Sequence, residues 1–165
     1  MTQMYITSVN ESIDRMIETV NGLSEETIRW QPSEDEWSIM QIVAHITEAL
    51  PYWVGEIEQL VETPGKEWGR NHLHEGRLEA VKPETVDAIS VNELLKELEQ
   101  VKQTVQAGIE KLTEEQLSAE AASVNPNFGM QTLSFIIDHL IIQHVNKHEG
   151  QIQHNLTKLS NQSAK

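Results

Sequence analysis

Apolar residues recur at three- and four-residue spacing through most of this chain, the period of an amphipathic helix. Ile6, Val9, Ile13, Met16, Ile17 and Val20 form a first stripe. A second runs Ile39, Ile42, Val43, Ile46, Ala49, Leu50, Trp53, Ile57 and Leu60. Leu94, Leu98, Val101, Val105, Ile109 and Leu112 form a third, and Leu133, Ile137, Ile141, His144, His148, Ile152 and Leu159 a fourth. No internal repeat and no alternating strand pattern of useful length competes with them. Each stripe must be covered, and four helices covering one another make an all-α four-helix bundle. The 165 residues suit one domain, taken as 1–165, and 38% apolar content closes its core without staples.

Local signals set the expected boundaries. Asn21-Gly22 offers a left-handed cap to the first helix. Ser38 is placed to start the second, and Pro51 predicts a kink or short break within it. Residues 63–89 carry Pro64-Gly65, Gly69, Gly76 and Pro83 without a period, so they read as a long connection across one end of the bundle. Ser90-Val91-Asn92-Glu93 has the pattern of a capping box for the third helix. The fourth is expected from about Gln131 to Leu159.

Charge and composition exclude several functions. The chain has 26 Asp and Glu against 12 Lys and Arg, a formal charge of −14. Its basic residues are scattered, so no surface answers to DNA, RNA or an anionic membrane. There is no cysteine, which removes thiolate metal sites and a cysteine nucleophile. "MTQMYITSVNESID" turns polar too early for a secretory leader, and no apolar run spans a bilayer. The expectation is a soluble, cytoplasmic protein.

The fourth stripe turns to imidazole in "QHVNKHEGQIQH", residues 143–154. His144 and His148 are four apart, so they are neighbours on one helix face. His45 lies inside the second stripe. A neutral imidazole in an apolar core has two ring nitrogens to satisfy. One metal ion satisfies three such rings at once, and three histidines with a fourth position open characterise a working metal site. The alternative is three separate hydrogen-bonded core histidines. His139 lies about 140° around the helix from His144, and His154 about 120° from His148, so both are expected on the surface or between helices. His72 and His74 fall on the long connection, either in solvent or covering the site. Glu48, one turn after His45, is a weak candidate to orient that ring as a hydrogen-bond acceptor, or simply a solvent-facing residue. Ser38 and Ser134 lack the G-x-S-x-G elbow of a serine hydrolase.

"EWSIMQIVAHITEA" (36–49) and "HVNKHEGQI" (144–152) resemble the second- and last-helix motifs of the DinB-like superfamily, and "LSEETIRWQPSEDEW" (23–37) resembles its first connection. The resemblance implies an up-down-down-up bundle, often a homodimer. It also implies a divalent metal, zinc or nickel in many members, held by His45, His144 and His148. Members with assigned activity include S-transferases and isomerases that use a low-molecular-weight thiol; others are described as metal-dependent hydrolases. Three readings follow. The chain transfers a metal-activated small thiol; or it hydrolyses a small molecule with metal-bound water, with Glu48 as the nameable base; or it is a non-catalytic, stress-related dimeric bundle with a structural metal. A fourth ligand from His72 or His74 would favour the last.

Overall fold

The computed structural model describes residues 2–163. Four long helical stretches make the bundle: α1 (Thr2–Asn21), α3 (Ile39–Glu62), α6 (Val91–Ile109), and a last stretch built of α8 (Leu133–Phe135), a π-helix (Ile136–Ile142) and α9 (Gln143–Ser163). Short helices α2 (Glu25–Arg29), α4 (Glu75–Ala80), α5 (Pro83–Asp87) and α7 (Glu114–Ser118) lie in the connections. A two-stranded antiparallel ribbon, β1 (Glu120–Ala122) and β2 (Met130–Thr132), pairs Ala121 with Gln131.

Contacts between the long helices fix their directions. Ser12 Oγ donates to Asn146 Oδ1 at 2.8 Å and Arg15 pairs with Glu149, so α1 and α9 run in parallel. Thr2 bonds the Glu110 carbonyl and Asp14 meets Lys102, so α6 runs against α1. Asn155 Nδ2 donates to the Trp37 carbonyl at 2.8 Å while His45 meets His144, so α3 runs against α9. The order is up, down, down, up. Two parallel neighbours, α3 and α6, therefore need a crossover that returns the length of the bundle.

The core sits where the stripes meet. Ile13, Met16, Ile42, Ile46, Leu50, Ile57, Leu98, Val105, Ile109, Ile136, Ile137 and Ile141 are all buried in one cluster. Helix α3 lies at its centre, with every side chain from Ile39 to Ile46 buried. A capping box starts it: the Gln41 N–H donates to Ser38 Oγ at 3.1 Å and the Ser38 N–H donates to Gln41 Oε1 at 2.8 Å. Near the end of α6, Gly108 brings that helix against α3; a Cβ there would stand 2.3 Å from Val54 Cγ1.

Several boundaries differ from the sequence reading. Helix α3 runs unbroken through Pro51. The lost backbone bond is offset by core packing on both sides, Ala49 and Leu50 before it and Trp53 and Val54 after. Gly22 does not adopt the left-handed cap; α1 closes instead with Leu23 N–H donating to the Val20 carbonyl at 3.0 Å. Ser90 caps α6 by accepting from the Glu93 N–H, the one half of the box that forms. The fourth helix starts at Leu133 rather than Gln131, because 131 and 132 belong to β2 and Thr132 is the cap. The 63–89 connection holds α4 and α5, each under two turns and so too short to show a period.

Candidate metal centre

Two helices deliver the three histidines. His45 comes from the second turn of α3, pointed inward by the stripe around it and 2% exposed. His144 and His148 stand at the start of α9, directly after the π-helix. Their donor nitrogens and that of His45 all lie within 4.8 Å of one another. His45 Nε2 and His144 Nε2 are 3.1 Å apart. Nitrogens held 2.0–2.1 Å from one tetrahedral ion stand roughly 3.3 Å apart, so the His45–His144 spacing is compatible with two ligands of one ion.

The second ring nitrogens decide which atoms face inward. His144 Nδ1 donates to the Leu140 carbonyl at 3.2 Å. His148 Nδ1 donates to Gln151 Oε1 at 2.8 Å. Both partners only accept, so both Nε2 atoms carry lone pairs toward the cluster. His45 Nδ1 is buried with no hydrogen-bond partner among the described residues. Burial, then the neighbouring imidazoles, lowers the His45 pKa to about 2. Burial likewise lowers His144 to about 3 and depresses His148. Three neutral imidazoles with clustered ring nitrogens fit a divalent cation.

Trp37 walls one side, 5.0 Å from His45 and stacked on His148 at 6.1 Å between ring centres. Beyond the histidines opens a cavity of about 220 Å³. The crossover forms much of its wall through Arg70, Asn71, His72 and Arg77, and Lys147 from α9 joins them. Gly69 makes the turn that aims Arg70 inward: its φ is +102°, and a Cβ there would meet Ser123 Oγ at 3.0 Å. Arg70 is buried, 4.0 Å over the Tyr52 ring, and donates to both Glu48 oxygens at 2.6 and 2.7 Å.

The remaining candidates take other places. Glu48 makes no hydrogen bond to His45; its carboxylate is clamped by Arg70, so it is neither that ring's acceptor nor a free surface group. His72 lines the cavity, and His74 accepts from Arg70 at 3.3 Å; neither joins the donor cluster. His139 is exposed and stacks on Phe135 at 4.9 Å. His154 is exposed beside Glu36. Ser38 is the α3 cap and Ser134 pairs with Thr132.

Periodicity singled out neither Gln151 nor the cations. Gln151 carried a readable signal, three residues after His148 on the same face. Arg70 and Arg77 carried none, because their place depends on the path of an aperiodic crossover.

Among the described residues, no helix is long and apolar enough to cross a membrane. Residues 9–152 match the DinB superfamily. No curated protein matches the sequence. Among solved structures, YfiT from Bacillus subtilis is similar, with a TM-score of 0.79 and 14% identity over 96% of this chain and 87% of that one. YfiT is described as "a probable metal-dependent hydrolase with an unusual four-helix bundle topology". At that identity the likeness is one of fold.

Proposed function

This chain belongs to the DinB superfamily, and from that premise we propose that it is a metal-dependent enzyme whose His45, His144 and His148 hold one zinc or nickel ion and whose reaction transfers a low-molecular-weight thiol. The observation that carries the metal is the convergence of three neutral imidazoles on the floor of a cavity. A divalent ion there supplies Lewis acidity, enough to keep a bound thiol deprotonated at neutral pH. His144 and His148 are held in the ligating tautomer by Leu140 and Gln151. Trp37 and the apolar surround of α3 keep water from the buried side of the rings.

The lining favours thiol transfer over hydrolysis. Activating water takes a nearby base, and no Asp or Glu lines this cavity. Glu48, the one base that the sequence offered, is bound to Arg70. A thiol starts near pKa 8.5 and needs less help. The open side of the cluster also argues against a purely structural metal, which four protein ligands would enclose.

Metal content on tag-free protein, wild type beside His148→Ala, tests the site. The expected result is one ion per wild-type chain and far less in the variant. The same samples should consume a small thiol with an electrophile only when metal is present. No metal uptake from zinc or nickel would overturn the proposal.

A further inference from the structure

The chain carries 26 acidic residues, yet none lines the cavity above the histidines, while three of its 12 Lys and Arg do. Arg70 is neutralised by Glu48. Arg77 and Lys147 form no salt bridge among the described residues, although Glu48 acts on Arg77 at longer range and Asp35 and Glu36 line the next cavity with Lys147. Arg77 is placed without a salt bridge. Its guanidinium donates to the His72 carbonyl at 3.0 Å and stands 5.6 Å over the Trp37 ring, the same indole that stacks on His148. An unpaired, half-buried guanidinium is costly in a folded chain. Burial, then the repulsion of Arg70, holds its pKa below the usual value against the weaker pull of Glu48.

We infer that Arg77 and Lys147 form an oxyanion-binding wall beside the three histidines, so that the ligand of this cavity is a small organic anion. One end of that ligand reaches the histidines and the other presents a carboxylate or phosphate to the two cations. The inference rests on the metal-site reading and adds the substrate class. A planar guanidinium with donors left over suits such a group, and Lys147 at the cavity rim adds a point charge. Asn71 and Asn125 supply further polar groups on the same lining. An overall charge of −14 would repel an anion from most of the surface, so this wall also gives it one place to settle.

Mercaptopropionate and mercaptopropanol, an acid and an alcohol of equal length, separate charge from thiol. Each is titrated calorimetrically into zinc-loaded protein, with metal content read on the same samples. Wild type should bind the acid roughly tenfold more tightly, the scale of one charge-assisted bond. Arg77→Gln should bring the ratio within about threefold, the level of an exposed charge pair, with the alcohol's affinity and the metal content unchanged. Arg77→Lys keeps the charge and should restore most of the ratio, which distinguishes loss of the anion site from misfolding. Equal affinities in wild type, no binding of either compound, or a ratio that survives Arg77→Gln would overturn the anion wall and leave the metal site standing. Failure of wild type to hold zinc would overturn the proposed function instead. Inorganic phosphate is then titrated into the metal-free chain: binding lost in Arg77→Gln upholds the wall, and no binding overturns it.

Discussion

Gln151 offers a direct test of the proposed metal centre. Its Oε1 accepts from His148 Nδ1 at 2.8 Å, and His148 is 7% exposed, so water cannot easily take the place of the amide. Ligation through Nε2 obliges the ring to carry its proton on Nδ1. In Gln151→Leu that proton has no acceptor in the metal-bound state, whereas the metal-free ring is free to change tautomer or turn. The penalty therefore falls on the bound state. An unsatisfied buried donor costs about 1–3 kcal/mol, and outer partners of histidine ligands are typically worth about 10–100-fold in metal affinity; the two scales agree. Gln151→Leu should weaken zinc binding by about 10–100-fold, read by competition with a chromogenic chelator. Gln151→Glu supplies a stronger acceptor and should bind at least as tightly as wild type. His144 offers no equivalent experiment, because its acceptor is a backbone carbonyl. Unchanged affinity in Gln151→Leu, with urea midpoints equal, would refute the reasoning.

Three further outcomes follow from the same geometry. Gly108→Ala forces a Cβ to 2.3 Å from Val54 Cγ1; overpacking of about 1–3 kcal/mol outweighs a helix-propensity gain of at most ~1 kcal/mol. Urea unfolding should therefore show net destabilisation in wild type and a gain in a Val54→Ala background; stabilisation in wild type would exclude the close approach. Glu48→Ala leaves the buried Arg70 guanidinium without its carboxylate and should cost about 2–4 kcal/mol, discounted for the partial exposure of Glu48. Metal content of the folded Glu48→Ala protein should stay at the wild-type level, and loss of metal would place Glu48 in the centre after all. The third outcome concerns pH. His45, His144 and His148 have folded pKa values below the unfolded value near 6.5. Below pH 6.5 the unfolded chain binds more protons, so stability is complete above that pH and falls as pH drops. The slope approaches about 1.4 kcal/mol per pH unit for each ring. Metal-free protein followed by urea unfolding between pH 7 and 5 should show this decline, and a flat profile would mean that the rings are not held neutral.

The clustering of the three histidines was legible because these residues obey the rule that builds the core. His45, His144 and His148 occupy positions in stripes that must face inward, so periodicity alone picks them from seven histidines. The bundle was legible for the same reason, and Ser38 as the α3 cap followed from side-chain chemistry. What stayed hidden was set by long-range path or by competition. Pro51 reads as a break, but flanking core contacts outweigh one lost bond. The π-helix at Ile136–Ile142 leaves no local mark; it buries Ile136, Ile137, Leu140 and Ile141, a set that an ordinary helix also suggests. Glu48 lies one turn from His45 in sequence, yet its partner is Arg70, 22 residues away on a segment without a period.

That segment exists because α3 and α6 run the same way. A bundle of alternating helices joins neighbours with short turns; here the chain has to walk back, and residues 63–90 are the walk. It is fastened at Trp68, at Val81 and at Val86, all buried, with Trp68 Nε1 donating to the Ala121 carbonyl at 2.8 Å. Between the fastenings, no residue from Asn71 to Glu79 is buried, and this stretch supplies His72 and Arg77 to the cavity. The exposed arch and the buried fastenings thus divide cavity lining from anchorage within the crossover. Substitutions on the arch would therefore change what the cavity meets without disturbing the helices that carry the histidines.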